Sequence, residues 1–187
     1  MKNKNFKVYF DCGSSKIRVG AFNKENPDNN FFKESEFFFD HSNIETEIQK
    51  IITSLENDTK EYLNDVNLMV DSSDILPINI SLSKKFDGSK LKKEDIKFLV
   101  QDVKQQILRN YPDQNILHII IKKYKIDNID YNYLPKNINC NLISLDIIFL
   151  CIPKKTMEYF KKKFLNLDIS VNQVFCTLAF FSSTYGI

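Results

Sequence analysis

The chain has 187 residues and a formal net charge of +2, with 43% apolar and 27% charged residues. That is enough material for one domain or two small ones, with a core that needs no disulfide or metal. The balance excludes a disordered or fibrous protein and gives no whole-chain signal for nucleic acid or acidic substrates. Lysine outnumbers arginine 24 to 2, alongside 20 Asn and 23 Ile. This is the bias of an AT-rich coding sequence, so a lysine cluster alone says little about binding.

The N-terminus, MKNKNFKVYF, is basic, but its apolar run is short and Asp11 breaks it, so it is a poor signal peptide. The longest apolar stretch, residues 142–152, contains Asp146 and is too short to span a bilayer. The chain therefore reads as cytoplasmic. Cys12, Cys140, Cys151 and Cys176 form no CxxC pair, and His41 and His118 lie far apart, which argues against zinc.

In chain order, residues 6–10 read as a strand and 16–23 as a second, joined by a Gly-Ser turn into a hairpin. Residues 24–30 are a turn and 31–39 a third strand. A helix follows, with Ser42 and Glu45 at capping-box spacing and a stripe of Ile44, Ile48, Ile51, Ile52, Leu55, Tyr62 and Leu63. Strands are expected over 66–70 and 75–82, then a charged loop over 84–93. A second helix over 92–110 presents Ile96, Leu99, Val100, Val103 and Ile107, and Pro112 marks its end. A strand over 116–126, a loop to Asn139 and a strand over 141–152 lead to a third helix with Met157, Phe160 and Phe164 inward. A strand over 170–175 and an apolar segment, 177–185, complete the pattern, which is α/β in two parts with a boundary near Asp65.

The sharpest local feature is Asp11-Cys12-Gly13-Ser14-Ser15-Lys16 between the first two strands. A tight turn of this kind presents backbone N–H groups and hydroxyls at a sheet end. These can cradle phosphate oxygens, with Lys16 neutralising charge. Asp11 can hold Mg2+ through water, because hard cations take oxygen ligands. An ordinary hairpin turn uses the same residues for conformational reasons, and the hexapeptide alone does not separate the two. No Ser or Cys has a base nearby in sequence, so no catalytic residue is assigned. Lys84, Lys85, Lys90, Lys92 and Lys93, and Lys161-Lys162-Lys163, read as solvated faces. His118 reads as a core or edge histidine. RNA binding needs an exposed aromatic pair on a sheet beside basic residues, which the strands do not clearly show, so no nucleic-acid partner is expected.

In context, the order D-x-G-S-S-K, strand, strand, strand, helix resembles the first phosphate loop of the actin/Hsp70/sugar-kinase superfamily. Within it the chain resembles the bacterial cell-division family FtsA, whose opening reads like LDIGTSK where this chain has YFDCGSSK. The resemblance is also carried by residues 66–82, Lys93-Glu94-Asp95-Ile96, Ile116-Leu117-His118-Ile119-Ile120 leading to Tyr124-Lys125-Ile126-Asp127, and residues 168–181. The chain departs from the family at Cys12, usually aliphatic, and at Asp71-Ser72-Ser73-Asp74, usually richer in glycine. It also lacks the second phosphate loop of type D-x-G-G-G-T.

This resemblance implies an α/β (α+β) fold: a partial actin-like (ribonuclease H-like) domain 1A with an inserted SHS2 strand–helix–strand–strand domain, also called 1C. The first half of 1A is expected at 1–66, the insertion at 67–165 and the return to 1A at 166–187. It implies ATP and Mg2+ as cofactors of the whole protein, with Asp11, Gly13, Ser14, Ser15 and Lys16 as the binding residues and Asp11 on Mg2+ through water. It implies septum assembly at the inner face of the cell membrane, and at most a weak ATPase. The implied partners are an FtsZ-type tubulin homologue through a missing domain, later division proteins through 1C, and further copies of the protein in polymers. Membrane contact comes through a missing C-terminal helix. The chain is expected to be cut before the second phosphate loop, which its four glycines cannot replace. Alone it should be inactive and hold ATP weakly. The alternatives are a free-standing SHS2-type interaction module without nucleotide and a pilus-assembly actin-like ATPase.

Overall fold

A computed structural model describes residues 5–13, 16–35 and 43–177. The elements are β1 (Phe6–Cys12), β2 (Ile17–Asn23), β3 (Phe31–Glu34), α1 (Ile44–Thr59), β4 (Asp65–Val70), β5 (Leu76–Lys85), α2 (Lys93–Asn110), β6 (Gln114–Ile126), β7 (Ile129–Tyr131), β8 (Leu142–Pro153), α3 (Lys154–Leu165) and β9 (Ser170–Cys176). They form two compact units, residues 5–74 with 155–177, and residues 75–154. No helix among the described residues is long and apolar enough to cross a membrane.

The first unit is a five-stranded sheet in the order β3-β2-β1-β4-β9. The hairpin forms as expected, with β1 antiparallel to β2, while β1, β4 and β9 run parallel. Period-2 alternation puts Phe6, Val8, Phe10 and Cys12 on one face with Ile17, Val19 and Ala21. The buried stripe of α1, Ile44, Ile48, Ile51, Ile52 and Leu55, packs on this sheet at helical spacing. Phe164 of α3 meets Phe10 edge to face at 5.0 Å.

Several local expectations change. Tyr62 is exposed, because α1 ends at Thr59 and Lys60 turns left-handed (φ 57°), which breaks the helical period before Tyr62. Ser42 lies outside the described residues, and Asn43 caps α1 without a side-chain hydrogen bond. Glu45 instead accepts hydrogen bonds from Lys163 at 3.0 Å and Asn166 at 2.9 Å. Lys163 is therefore ion-paired rather than solvated. β3 ends at Glu34, and Phe37–Phe39 and the apolar segment after Thr177 lie outside the described residues.

The other face of this sheet carries an aromatic row that the sequence did not reveal. Phe22 meets Phe32 at 5.5 Å and Tyr9 at 5.8 Å, and Tyr9 meets Phe175 at 6.3 Å. Phe32 is 65% exposed. Gly20 makes the room, since a Cβ there would stand 2.8 Å from the Phe22 ring. An exposed aromatic pair does exist, therefore, with Lys7 over the Tyr9 ring. Phe22 meets both Tyr9 and Phe32 edge to face, an arrangement in which the rings stabilise one another.

The second unit is a four-stranded antiparallel sheet, β5-β8-β6-β7. Ile96, Val103 and Ile107 of α2 share a core with Ile143, Leu145, Ile147, Phe149 and Cys151 of the central strand β8. β5 runs on through Lys84 and Lys85, expected in a loop, because both pair with β8. The short β7 was not expected. Asp127 and Asn128 take positive φ (46° and 69°) in the tight β6–β7 turn, a conformation these two residue types tolerate. This unit spans 75–154 rather than the expected 67–165. β4 is hydrogen-bonded into the first sheet between β1 and β9, and Phe164 packs on Phe10, so both flanks belong to the first unit.

Candidate functional site

The candidate site lies at the end of β1, where parallel β1 and β4 both finish, the position at which open α/β sheets receive ligands. Gly13 N–H donates to the Lys16 carbonyl at 3.1 Å and so pinches the ends of β1 and β2 together. A Cβ at Gly13 would sit 3.3 Å from that same oxygen, a tight approach that favours glycine. Ser14 and Ser15 lie outside the described residues.

Asp11 and Lys16 stand in an alternating charge row across three strands. The hairpin register sets Asp11 opposite Arg18, and the next register sets Arg18 opposite Glu34. Arg18 Nη1 is 3.6 Å from Asp11 Oδ2, and its Nε is 3.7 Å from Glu34 Oε2. Lys16 Nζ donates to Glu34 Oε1 at 3.0 Å. Arg18 and Glu34 were not assigned from the sequence. The hairpin register could have found Arg18, since it pairs residue 11 with 18 across a turn centred between 14 and 15. No turn motif sets the register of β3 against β2, so Glu34 is not legible from local pattern.

The Asp11 carboxyl has two different oxygens. Oδ2 faces Arg18, whereas Oδ1 is buried and has no hydrogen-bond partner among the described residues. A buried acceptor without a donor is costly, and a water-bound cation is one group that would satisfy it. Burial pushes the Asp11 carboxyl above the ordinary carboxylate range; Arg18 pulls it back, and Asp71 raises it again. Cys12 points to the opposite face, where burial pushes its thiol far up, so it packs as a small apolar residue of the core and not as a nucleophile.

The raised carboxyl sets a pH dependence. The folded chain holds the Asp11 proton to higher pH than the unfolded chain, so this group's contribution to stability falls as pH rises above the ordinary Asp value of 3.8. Asp11→Asn should therefore melt higher than the parent chain at neutral pH, with the gap shrinking toward acid. Thermal melts across that range check this, and a lower neutral melting temperature for Asp11→Asn would contradict it.

No family model and no curated protein matches the chain. Several solved structures are similar to it, two of which follow. One is a chain of a PilM-PilN type IV pilus biogenesis complex, at 7% identity and a TM-score of 0.52, over 92% of this chain and 47% of that one. The other is a Bacteroides thetaiotaomicron protein with an actin-like ATPase fold, at 15% identity and a TM-score of 0.37, over 97% of this chain and 57% of that one. The chain thus spans about half the length of the structures it matches. At such identities likeness speaks for fold alone: a mixed α/β fold similar to that of the chain from the pilus biogenesis complex.

Proposed function

We propose that this chain is the first-lobe part of an actin-like ATP-binding scaffold of FtsA type, which ties a division ring to the membrane and recruits later division proteins. The observation that carries this is Asp11: a carboxylate at the end of a parallel strand, beside the Gly13–Lys16 closure, with one buried oxygen left for a water-bound cation. In this reading Asp11 orients Mg2+ through water, and Gly13, Ser14, Ser15 and Lys16 take the phosphates. ATP and Mg2+ belong to the whole protein, and any ATPase activity there is weak. The second unit is the inserted SHS2-type domain, whose observed order of strand, helix and antiparallel strands supports the assignment. It would receive division proteins and further copies of the scaffold at the inner face of the membrane, while other parts of the whole protein would contact the FtsZ-type partner and, through a C-terminal helix, the membrane.

One observation favours a second reading. The neighbour with the higher TM-score comes from a pilus biogenesis complex, which supports a pilus-assembly scaffold on the same fold. Asp11→Ala and Lys16→Ala, made in the protein as the cell produces it, separate the readings. Loss of ATP binding with failed septation supports the division role, and loss of ATP binding with loss of pili supports the pilus role. Unchanged ATP binding and no phenotype would leave an interaction module without nucleotide. For the 187-residue chain by itself, calorimetric titration with Mg-ATP should show no saturable binding below about millimolar, because one phosphate loop supplies only half of a clamp. A micromolar constant would overturn the half-cleft view.

A further inference from the structure

The charge row beside the phosphate loop does more than hold three strands in register. Lys16 and Arg18 are the two cations nearest Gly13 in the row, and Glu34 engages both, one through each carboxylate oxygen. Arg18 is shared with Asp11 on its other side. Asp11 also feels the charge of Asp71, whose N–H donates to the Cys12 carbonyl. Two carboxylates, Asp11 and Glu34, therefore engage the two cations, an environment that disfavours a polyphosphate anion unless one carboxylate yields. Asp11 is held by β1 and half-buried, but Glu34 is the last residue of β3, with its side chain 54% exposed. It is the carboxylate free to move away.

We propose that Glu34 is a built-in competitor for phosphate, a carboxylate that occupies Lys16 and Arg18 until a polyphosphate displaces it, and that Arg18 is a second phosphate-facing cation of the site. This deepens the phosphate-site reading above and rests on it. Displacement costs two exposed ion pairs of the weak surface kind, and the competition is therefore a tuning of affinity and not a lock. It weakens with salt, as exposed pairs do. The Arg18–Asp11 ion pair does not involve Glu34 and need not break in the exchange.

The test uses the 187-residue chain, inorganic tripolyphosphate with Mg2+ at low salt, and the NMR shifts of the Gly13 and Lys16 amides. Glu34→Gln should lower the dissociation constant about threefold to tenfold, and the gain should vanish at high salt and in Glu34→Gln/Lys16→Gln. Glu25→Gln makes the same charge change in the exposed turn after β2 and should leave the constant unchanged. Equal constants for the parent and Glu34→Gln, or an equal gain from Glu25→Gln, overturn the role of Glu34 while the phosphate site stands. Shifts absent at Gly13 and Lys16 in every variant overturn the phosphate site itself, and the competitor with it.

Discussion

Replacing Phe164 with alanine is expected to destabilise the first unit by about 3–5 kcal/mol, the usual cost of deleting a buried phenyl ring from a core that cannot collapse onto the gap. Phe164 and Phe10 are both fully buried and meet edge to face at 5.0 Å, so the loss includes the ring pair as well as the buried area. The consequence reaches the site, because Phe10 is the residue before Asp11 on β1, and its packing fixes how far that strand end projects. Urea denaturation followed by near-UV circular dichroism measures the stability. Phe164→Leu, which keeps most of the volume, should lose under about 1.5 kcal/mol. A loss below about 1 kcal/mol for Phe164→Ala would mean that α3 does not seal this core.

The unequal legibility of the chain has a physical basis. The hairpin, α1, α2 and β8 were readable because each buries one periodic face, and the period alone states the element. Tyr62 leaves the stripe because the left-handed Lys60 resets the direction of the chain, a backbone event that the apolar period does not carry. β7 was hidden because it has only three residues and no buried face, and is held by the Asp127-Asn128 turn instead. The unit boundaries were blurred because β4 owes its place to pairing with β1 and β9, a long-range choice that local pattern does not carry. At the site, Asp11, Gly13 and Lys16 were visible as a turn motif. Arg18 and Glu34 join them only through two strand registers, and the buried Asp11 Oδ1 is a feature of packing that no motif encodes.

Phe149→Ala should cost the second unit a similar amount, about 3–5 kcal/mol. Phe149 sits at the middle of β8 with Ile78 of β5 and Ile119 of β6 as its cross-strand partners, and it is fully buried under α2. A central strand has no edge along which to relax, and neither neighbour carries a side chain long enough to fill the space of a ring. The expected signature is cooperative: amide protection falls together in β5, β6 and β8, since those strands share the core that Phe149 completes. Hydrogen exchange by mass spectrometry reads this directly. Loss of protection confined to the residues flanking position 149 would show that this sheet unfolds piecemeal, and that its long antiparallel pairings, rather than its core, hold it together.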